Sequence, residues 1–395
     1  MSPNTRAYLT LTLTPGLGPM LIRRLVEQLG SAEAVLGARA VQLGEVQGIA
    51  AKNAGKLKRS IDTTAGGDLL KREADTIARH GADLICIEDP GYPALLREVH
   101  DAPPLLWVRG KLVGDDALSL AVVGSRKCSH YGREQADQLS NALAGSGVTI
   151  VSGGAYGIDV AAHRGALRAA GGGVGRTLAV LGSGLGKPYP EDHADLFGQI
   201  VESDGEKGAV VSEFPMLTEP RPENFLRRNR VISGLSVGVL VIEAGKRSGA
   251  LSTARRCVDE HGRELMVLPG RVDSPYSVGC HEVLKEGWGR LVTGVSDILD
   301  VIGEQKPLLT VAAQTQRGGG TEDLGTVAMD GQGEQASSEA GTPLLSLLDE
   351  PRSLDELVAW TGQPASQIQV ELTMLEIRGS ITRQGGLFVR RRSNL

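Results

Sequence analysis

The fold is decided by residues 118–170, which read LSLAVVGSRKCSHYGREQADQLSNALAGSGVTIVSGGAYGIDVAAHRGALRAA. Two apolar runs, Leu118–Val123 and Val148–Val151, are each followed by a glycine-rich turn and then by an amphipathic stretch, Gln135–Leu143 or Val160–Ala169. Continuous apolar runs are typical of strands covered on both faces, and the amphipathic stretches predict crossover helices. The segment therefore predicts two strand–helix units of a doubly wound, mostly parallel sheet.

The same alternation continues on both sides and predicts an α/β domain over residues 84–302. The predicted strands are Leu84–Ile87, Leu105–Val108, Leu118–Val123, Val148–Val151, Leu178–Leu181, Ala209–Ser212, Val237–Ile242 and Leu265–Leu268. Ligands of such sheets bind outside the carboxyl ends of the strands. We therefore expect the turns after Val123, Val151 and Leu181 to emerge at one edge of the domain.

The flanking regions differ in character from this domain. Residues 1–83 predict a small helical domain, in which Pro15–Gly18 and Val46–Ala50 each open a helix with the glycine pattern of helix-hairpin-helix elements. The exposed amides there either accept a phosphate or belong to simple tight turns, and the sequence leaves both open. Residues 303–341 are rich in Gly, Gln, Ser and Thr, which is typical of a flexible linker.

Residues 342–395 predict a winged-helix domain, with two helices and a hairpin that turns at Gly385-Gly386. Ser353 and Ser366 each begin a capping-box pattern with an acid or amide three residues later. The second helix carries Glu371 and Glu376, a poor surface for the DNA major groove, so we expect a protein contact there. Weak DNA contact by the terminal arginines stays open.

Composition excludes several classes of protein. The chain has 395 residues, 41% of them apolar, and a net charge of −5, so any nucleic-acid surface must be a local basic patch. Four cysteines without a CxxC pair suggest neither disulfides nor zinc, and we expect no cofactor. The amino terminus lacks a signal-peptide pattern and no run of about 18 apolar residues occurs, so we expect a cytoplasmic protein without a membrane partner.

The segment Arg221–Arg230, RPENFLRRNR, sets four arginines and one aromatic against a single acid. Guanidinium groups match phosphate oxygens and Phe225 offers a face for a base, although a solvated basic turn explains these ten residues equally well. Three glycine-rich turns, Gly124–Arg126, Ser152–Asp159 and Gly182–Pro190, favour a nucleic-acid ligand, because such turns expose amides to phosphate.

Other chemistries fit the sequence less well. The Gly186-Lys187 pair lacks the first glycine and the hydroxyl of a P-loop, and no GxGxxG follows the first strand of the α/β domain. The GxSxG match at Gly234–Gly238 precedes a strand instead of joining a strand to a helix. His163 has no evident nucleophile partner, so we interpret it as a capping or phosphate-facing residue.

These residues carry a family resemblance. The series AVVGSRKCSHYG, VSGGAYGIDVAAH, LGSGLGKPYP, SEFP, FLRRNRVISGLS, VIEAGKRSGALSTA and LPGRVDSPYSVGCHEVLKEG resembles the DprA (Smf) family of DNA-processing proteins of natural transformation, in unbroken order over about 84–299. The resemblance implies an extended Rossmann-like domain that binds and protects single-stranded DNA, forms homodimers and loads the RecA recombinase, without known catalysis. It also implies a SAM-like helical domain before it and a winged helix after it. Duplex binding stays open.

The resemblance also implies a set of binding residues. They are Gly124, Ser125, Arg126, Ser152, Gly153, Gly154, Gly157, Phe225, Arg228, Asn229 and Arg230. Residues selected for their own chemistry complete the predicted DNA-binding site: Tyr156, His163, Lys187, Arg221, Arg227, Ser248 and Gly249. Tyr156 stands where the family usually has a basic residue, and it either stacks on a base or packs.

Two alternatives belong to other classes. A nucleotide-processing enzyme similar to the phosphoribohydrolases needs an acid near the sugar, but the corresponding segment RSGALSTARR ends in Arg256. A structural adaptor that holds a small nucleotide as a signal would prefer mononucleotides to oligonucleotides.

Overall fold

The computed structural model describes residues 1–170, 175–305, 343–363, 365–377, 380–384 and 387–390. The chain divides into two compact units, Met1–Thr293 and Gly294–Leu395. The helix at Val295–Glu304 belongs to the second unit, although the sequence places it mostly in the domain over 84–302. The predicted linker lies outside the described residues except at its first three, and the four-part division stays a prediction.

The helices are α1 (Pro3–Leu13), α2 (Pro19–Leu29), α3 (Ala32–Gly37), α4 (Ala40–Gly44), α5 (Ala51–Gly66), α6 (Asp68–Arg79), α7 (Ala94–Arg97), α8 (His130–Gly145), α9 (Ile158–Ala170), α10 (Ala194–Val201), α11 (Pro222–Leu235), α12 (Gly249–Arg255), α13 (Val278–Glu286), α14 (Val295–Glu304), α15 (Pro343–Ser346), α16 (Leu354–Thr361) and α17 (Ala365–Ile377). The strands are β1 (Asp83–Cys86), β2 (Leu105–Gly110), β3 (Ser119–Val123), β4 (Thr149–Ser152), β5 (Thr177–Leu181), β6 (Gly208–Ser212), β7 (Gly238–Val241), β8 (Glu264–Val267), β9 (Arg290–Leu291), β10 (Ile381–Gln384) and β11 (Leu387–Arg390). None of the described helices has the length and apolarity that a membrane span requires.

One nine-stranded sheet organises the first unit, with strand order β1-β2-β6-β5-β4-β3-β7-β8-β9. Neighbours from β6 to β9 are parallel, and β2 pairs antiparallel with both β1 and β6. This confirms the predicted Rossmann-like, mostly parallel sheet. The antiparallel pair β1 and β2 extends it at one edge.

The central strands are buried on both faces, as their apolar runs predict. Along β5, Leu178 and Val180 belong to one apolar cluster, while Ala179 and Leu181 belong to another. The strands β2, β5 and β6 therefore contribute alternate side chains to two separate apolar clusters, one on each face of the sheet.

The amino-terminal helices pack on one of these cores. Gly18 precedes α2, and Gly48, with φ of +101°, lies in the turn before α5, so both predicted helix openings are confirmed. Glu73 of α6 ties these helices to the sheet domain, because its Oε1 accepts hydrogen bonds from Trp107 Nε1 (2.9 Å) and the Met216 amide (2.7 Å).

In the second unit, α16 and α17 precede the antiparallel pair of β10 and β11, the predicted order of a winged helix. The turn at Gly385-Gly386 lies outside the described residues. Ser353 forms its predicted capping box with Glu356. The prediction for Ser366 is wrong, because α17 begins at Ala365 and places Ser366 inside its first turn.

Candidate nucleic-acid interface

A cleft of about 920 Å³ opens at the carboxyl ends of β3 and β7. The chain continues from β3 to β4, β5 and β6 on one side of the sheet, whereas β7 and β8 lie on the other. Loops that follow β3 and β7 therefore diverge, and such a switch point is where doubly wound sheets bind ligands. The cleft walls come from the loop at 124–127, the loop at 245–248 and the first turns of α11.

Glu243 holds the first of these loops in place. Its backbone carbonyl accepts from the Ser125 amide (2.7 Å), and its carboxylate accepts from the Ser129 amide (2.8 Å) and hydroxyl (2.6 Å). Gly132 leaves room for this carboxylate, since a Cβ there would lie 2.4 Å from Glu243 Oε2. The amide of Ser125 is thus used internally, whereas the amides of Arg126 and Lys127 have no hydrogen-bond acceptor among the described residues.

Besides Arg228, the cleft is lined by four cations on its two loops: Arg126 and Lys127 on the first loop, Lys246 and Arg247 on the second. The second loop is a tight turn closed by a hydrogen bond from the Ser248 amide to the Gly245 carbonyl (3.0 Å). Lys246 faces Glu282 at 3.1 Å. The other three have no carboxylate within 4.0 Å among the residues that the structure describes. Their charges are therefore available to an anionic ligand.

The segment Arg221–Arg230 is the start of a helix, and its helical period separates its side chains. Phe225, Arg228 and Asn229 line the cleft. Arg227 and Arg230 point to another surface, where both bind Glu213 Oε2, at 2.9 and 2.6 Å. Residues at i, i+3 and i+4 share one face of a helix.

Phe225 forms an aromatic wall of the cleft. The Arg126 guanidinium lies over its ring, 5.1 Å from the centroid, and the Tyr189 ring is tilted against it at 5.6 Å. Gly182 permits this position, because a Cβ there would lie 2.6 Å from Phe225 Cδ1. The half-buried ring is therefore fixed next to an exposed cation and a second, exposed aromatic.

Arg228 places a charge beneath the cleft. It is buried, and its Nη1 donates to the carbonyls of Gly153 (2.6 Å) and Val180. Burial lowers the pKa of Arg228 to about 10, so the group stays protonated at neutral pH, and nearby Asp159 favours the charged form. Burial raises the pKa of Asp159, which accepts from the Ala155 amide (3.2 Å). Arg228 therefore contributes a positive field from beneath the cleft, where its burial leaves little donor surface for a ligand.

The other end of α11 is held by Arg263, which immediately precedes β8. This buried side chain donates to the carbonyls of Ser233 (2.8 Å), Gly234 (2.6 Å) and Ser236, and also to that of Leu95 (2.6 Å). The first three are carbonyls at the end of the helix, where the Ser233 carbonyl also accepts from the Ser236 amide (3.3 Å), and a cation there is favoured by the helix dipole.

Several predicted residues turn inward. Ser152 is fully buried and its hydroxyl donates to the Val122 carbonyl (2.6 Å). Gly153 and Gly154 are buried against Arg228 and Phe197. These residues shape the floor beneath the cleft and offer no surface to a ligand.

His163 is also fully buried, with its Nδ1 2.7 Å from Thr177 Oγ1. Burial lowers its pKa to about 3, so the ring is neutral at physiological pH. A neutral, enclosed imidazole does not face a phosphate in this structure, so of our two interpretations of the residue only the capping role stays as a prediction.

The remaining predicted residues lie at the surface. Ser248 and Gly249 line the cleft beside Gly124, Ser125 and Arg126. Lys187 pairs with Glu219 at 3.3 Å and Arg221 is exposed, and neither lines the cleft. Tyr156 and Gly157 line a second groove, on the other side of Arg126.

The structure adds residues that the sequence reasoning missed. They are Lys127, Tyr189, Glu243, Lys246 and Arg247. A signal was present for the cations, because GSRK and EAGKRSG each follow an apolar strand and place basic residues in the turn. No local signal marked Glu243, whose partners lie more than 100 residues earlier in the chain.

The family model for DNA recombination-mediator protein A matches residues 83–303, more than half of the chain. The chain belongs to the DprA family. A DprA winged-helix model matches residues 329–386. Protein Smf of Synechocystis sp. is 32% identical to the chain over 413 residues and aligns with 99% of it and with 100% of its own length. Protein Smf of Escherichia coli is 39% identical and covers 78% of this chain and 77% of its own.

The fold agrees with this DprA assignment. The X-ray structure of DNA processing protein A from Streptococcus pneumoniae superposes with a TM-score of 0.65 at 32% identity. The match covers 76% of this chain and 98% of that one. The DprA match over 83–303 begins at the first residue of β1 and contains every residue of the cleft.

Proposed function

We propose that the cleft binds single-stranded DNA. The observation that carries the proposal is the set of four cations, with two unbonded amides, around the half-buried ring of Phe225 at the switch point of the sheet. Cations that follow a phosphate backbone, combined with an aromatic face for a base, are the two elements of single-strand binding without strong sequence preference.

Single strands suit this cleft better than a duplex. The Phe225 ring can stack only on a base whose face is free, and the bases of a duplex are covered by their neighbours. In the free protein Arg126 covers one face of the ring. On binding, a base takes that face and Arg126 moves to a phosphate, where its planar fork pairs with two oxygens.

Binding without turnover is the second part of the proposal. Among the described residues that line the cleft, Asp159 is the one carboxylate, and it is buried beside Arg228. A phosphoribohydrolase needs an acid near the sugar. The cleft offers instead exposed cations, which grip a polyanion and have no acid–base role.

Substitutions at Phe225 test the proposal. Phe225→Leu keeps apolar volume but loses the stacking face, so it should weaken binding to an oligothymidylate by about 1–3 kcal/mol, or roughly 5- to 150-fold. Phe225→Tyr keeps the face and is the matched control, with affinity close to the wild type. Fluorescence anisotropy with single strands, duplex and thymidine monophosphate measures this. Equal affinity of the Leu and wild-type proteins, or tighter binding of the mononucleotide, would refute the proposal.

We further propose that the protein acts as a homodimer that protects the strand and loads RecA onto it. Support comes from the family description as a recombination mediator, and from the size of the cleft, about 920 Å³, which leaves most of a long strand outside it. Light scattering tests the dimer. RecA ATPase on strands coated with a single-strand-binding protein tests loading, with Phe225→Leu as the control that should lose stimulation. The proposal requires that the protein binds the strand before it loads RecA. A variant that no longer binds the strand but still stimulates RecA would contradict this.

A further inference from the structure

A second groove lies against the same loop as the cleft. It encloses about 1080 Å³ between the start of α8 and the start of α9. Arg126 and Lys127 line both openings, so the loop at 124–127 is a shared wall between them. A polymer that leaves the cleft over this wall enters the groove without crossing another element.

The groove carries uncompensated positive charge. Besides the two shared cations it is lined by Arg133 of α8 and Arg164 of α9, both exposed. No carboxylate lies within 4.0 Å of either guanidinium among residues 1–170 and the other described ranges. Of the two acids in the lining, Asp137 is bound by Arg168 and Glu134 faces His130 at 3.8 Å. In a chain with net charge −5, a surface of this sign is a local feature.

An aromatic side chain stands at the groove. Tyr156 is 42% exposed, its hydroxyl donates to Asp192 Oδ2 (2.8 Å), and its ring lies edge-on to His193 with centroids 4.7 Å apart. The ring is therefore held in place while one surface stays open. A fixed aromatic among unpaired cations repeats the combination that Phe225 and Arg126 provide in the cleft.

We propose that this groove is a second nucleotide subsite, which takes the bases and phosphates that continue from the cleft across the loop at 124–127. The inference rests on the proposed function of the cleft and extends the contacted strand beyond it. Arg133 and Arg164 bind phosphates of the continuing strand, and Tyr156 stacks one of its bases. A strand too short to cross the loop does not reach these three side chains.

Oligonucleotide length separates the two sites. We compare wild type with Arg133→Gln/Arg164→Gln on oligothymidylates of about 4 and about 20 nucleotides, which span the usual range of site sizes. The double variant should weaken binding of the long strand about tenfold or more and leave the short strand within about twofold. Two lost phosphate contacts should also lower the salt slope of the long strand by about 1.4.

The control variant is Arg255→Gln/Lys285→Gln. It removes two exposed cations that line neither the cleft nor the groove, so the affinity for both strand lengths should stay unchanged. Thermal melting verifies that each variant folds. Equal weakening of short and long strands by the groove variant would overturn the subsite, as would a wild type that binds both lengths equally. If the wild type binds the short strand, and the groove variant binds the long strand as tightly as the wild type does, the cleft assignment stands and the groove proposal is wrong. If the wild type binds neither, both fall together.

A photoreactive thymine supplies a second readout. Placed at one end of the long strand, it should cross-link to the peptide that contains Tyr156, and Tyr156→Leu should reduce this yield several-fold, while Tyr156→Phe preserves it. Cross-links confined to the loop at 245–248 and α11, at whichever end the label sits, would contradict the proposed path.

Discussion

Replacing Arg126 with alanine removes the cation of the loop at 124–127 that lies over the aromatic wall of the cleft, Phe225. Its guanidinium lies 5.1 Å from the Phe225 centroid and has no carboxylate partner within the described residues. The side chain is exposed, so its loss should leave folding intact. The effect should therefore appear in binding, and in particular in the dependence of binding on salt.

The size of the effect follows from counting cations. Consider a single strand short enough to occupy only the cleft. If Arg126, Lys127, Lys246 and Arg247 each neutralise one of its phosphates, a plot of log affinity against log salt falls with a slope of about 2.8, since each contact contributes about 0.7. Raising salt from about 50 to about 200 mM then weakens the wild type about 50-fold, and a variant with one contact fewer only about 20-fold.

Anisotropy titrations of a labelled oligothymidylate over this salt range measure both slopes. Arg126→Lys keeps the charge and should restore the slope. Arg221→Ala removes another exposed arginine, which does not line the cleft, and should retain the wild-type slope. A wild-type slope for Arg126→Ala, or equal flattening by Arg221→Ala, would show that this loop does not contact phosphate.

Other predictions concern the framework of the site. Gly157→Ala should destabilise the protein by about 1–2 kcal/mol or more in thermal or denaturant unfolding, because φ is +81° and the new Cβ would lie 2.3 Å from the Ser125 carbonyl oxygen; unchanged stability would contradict this. Glu243→Ala leaves the Ser129 amide without its acceptor, so it should cost about 1–3 kcal/mol and also weaken strand binding, whereas Glu243→Gln should retain most of both. The pKa of His163 is lowered to about 3, so the unfolded chain binds a proton first as pH falls below the usual value near 6.5. Stability should therefore decline by about 1.4 kcal/mol per pH unit between about pH 6 and 4, a contribution that His163→Gln should abolish in urea unfolding.

The strands could be predicted from sequence to within one or two residues, because a strand buried on both faces must be an apolar run. Val148–Val151, for example, corresponds to β4 at Thr149–Ser152. Strand β9 escaped prediction for the same reason, since Arg290 and Leu291 are both exposed and form no run. The antiparallel direction of β2 could not be predicted either, because its apolar sequence resembles that of the parallel strands.

The binding surface was predictable as a set of segments but not as a set of side chains. RPENFLRRNR indicated the right helix, yet only the helical phase decides that Phe225 faces the cleft. Arg227 and Arg230 pair with Glu213, which directly follows β6, whereas Arg228 binds backbone carbonyls. Such pairing depends on tertiary structure, so the local sequence cannot show which arginines form ion pairs and which are available to a ligand.

The anchoring of α11 by Arg263 has a consequence for how a ligand is accommodated. Arg263 joins three carbonyls at the far end of the helix to that of Leu95 in α7, and Arg228 and Arg230 fasten the middle of the helix to neighbouring backbone and carboxylates. Because α11 is anchored at its C-terminal end and in its middle, we expect the helix that carries Phe225 to keep its position when a strand binds. The conformational change that accommodates the strand should therefore occur in the loops at 124–127 and 245–248, while the aromatic wall on α11 serves as a preformed docking surface.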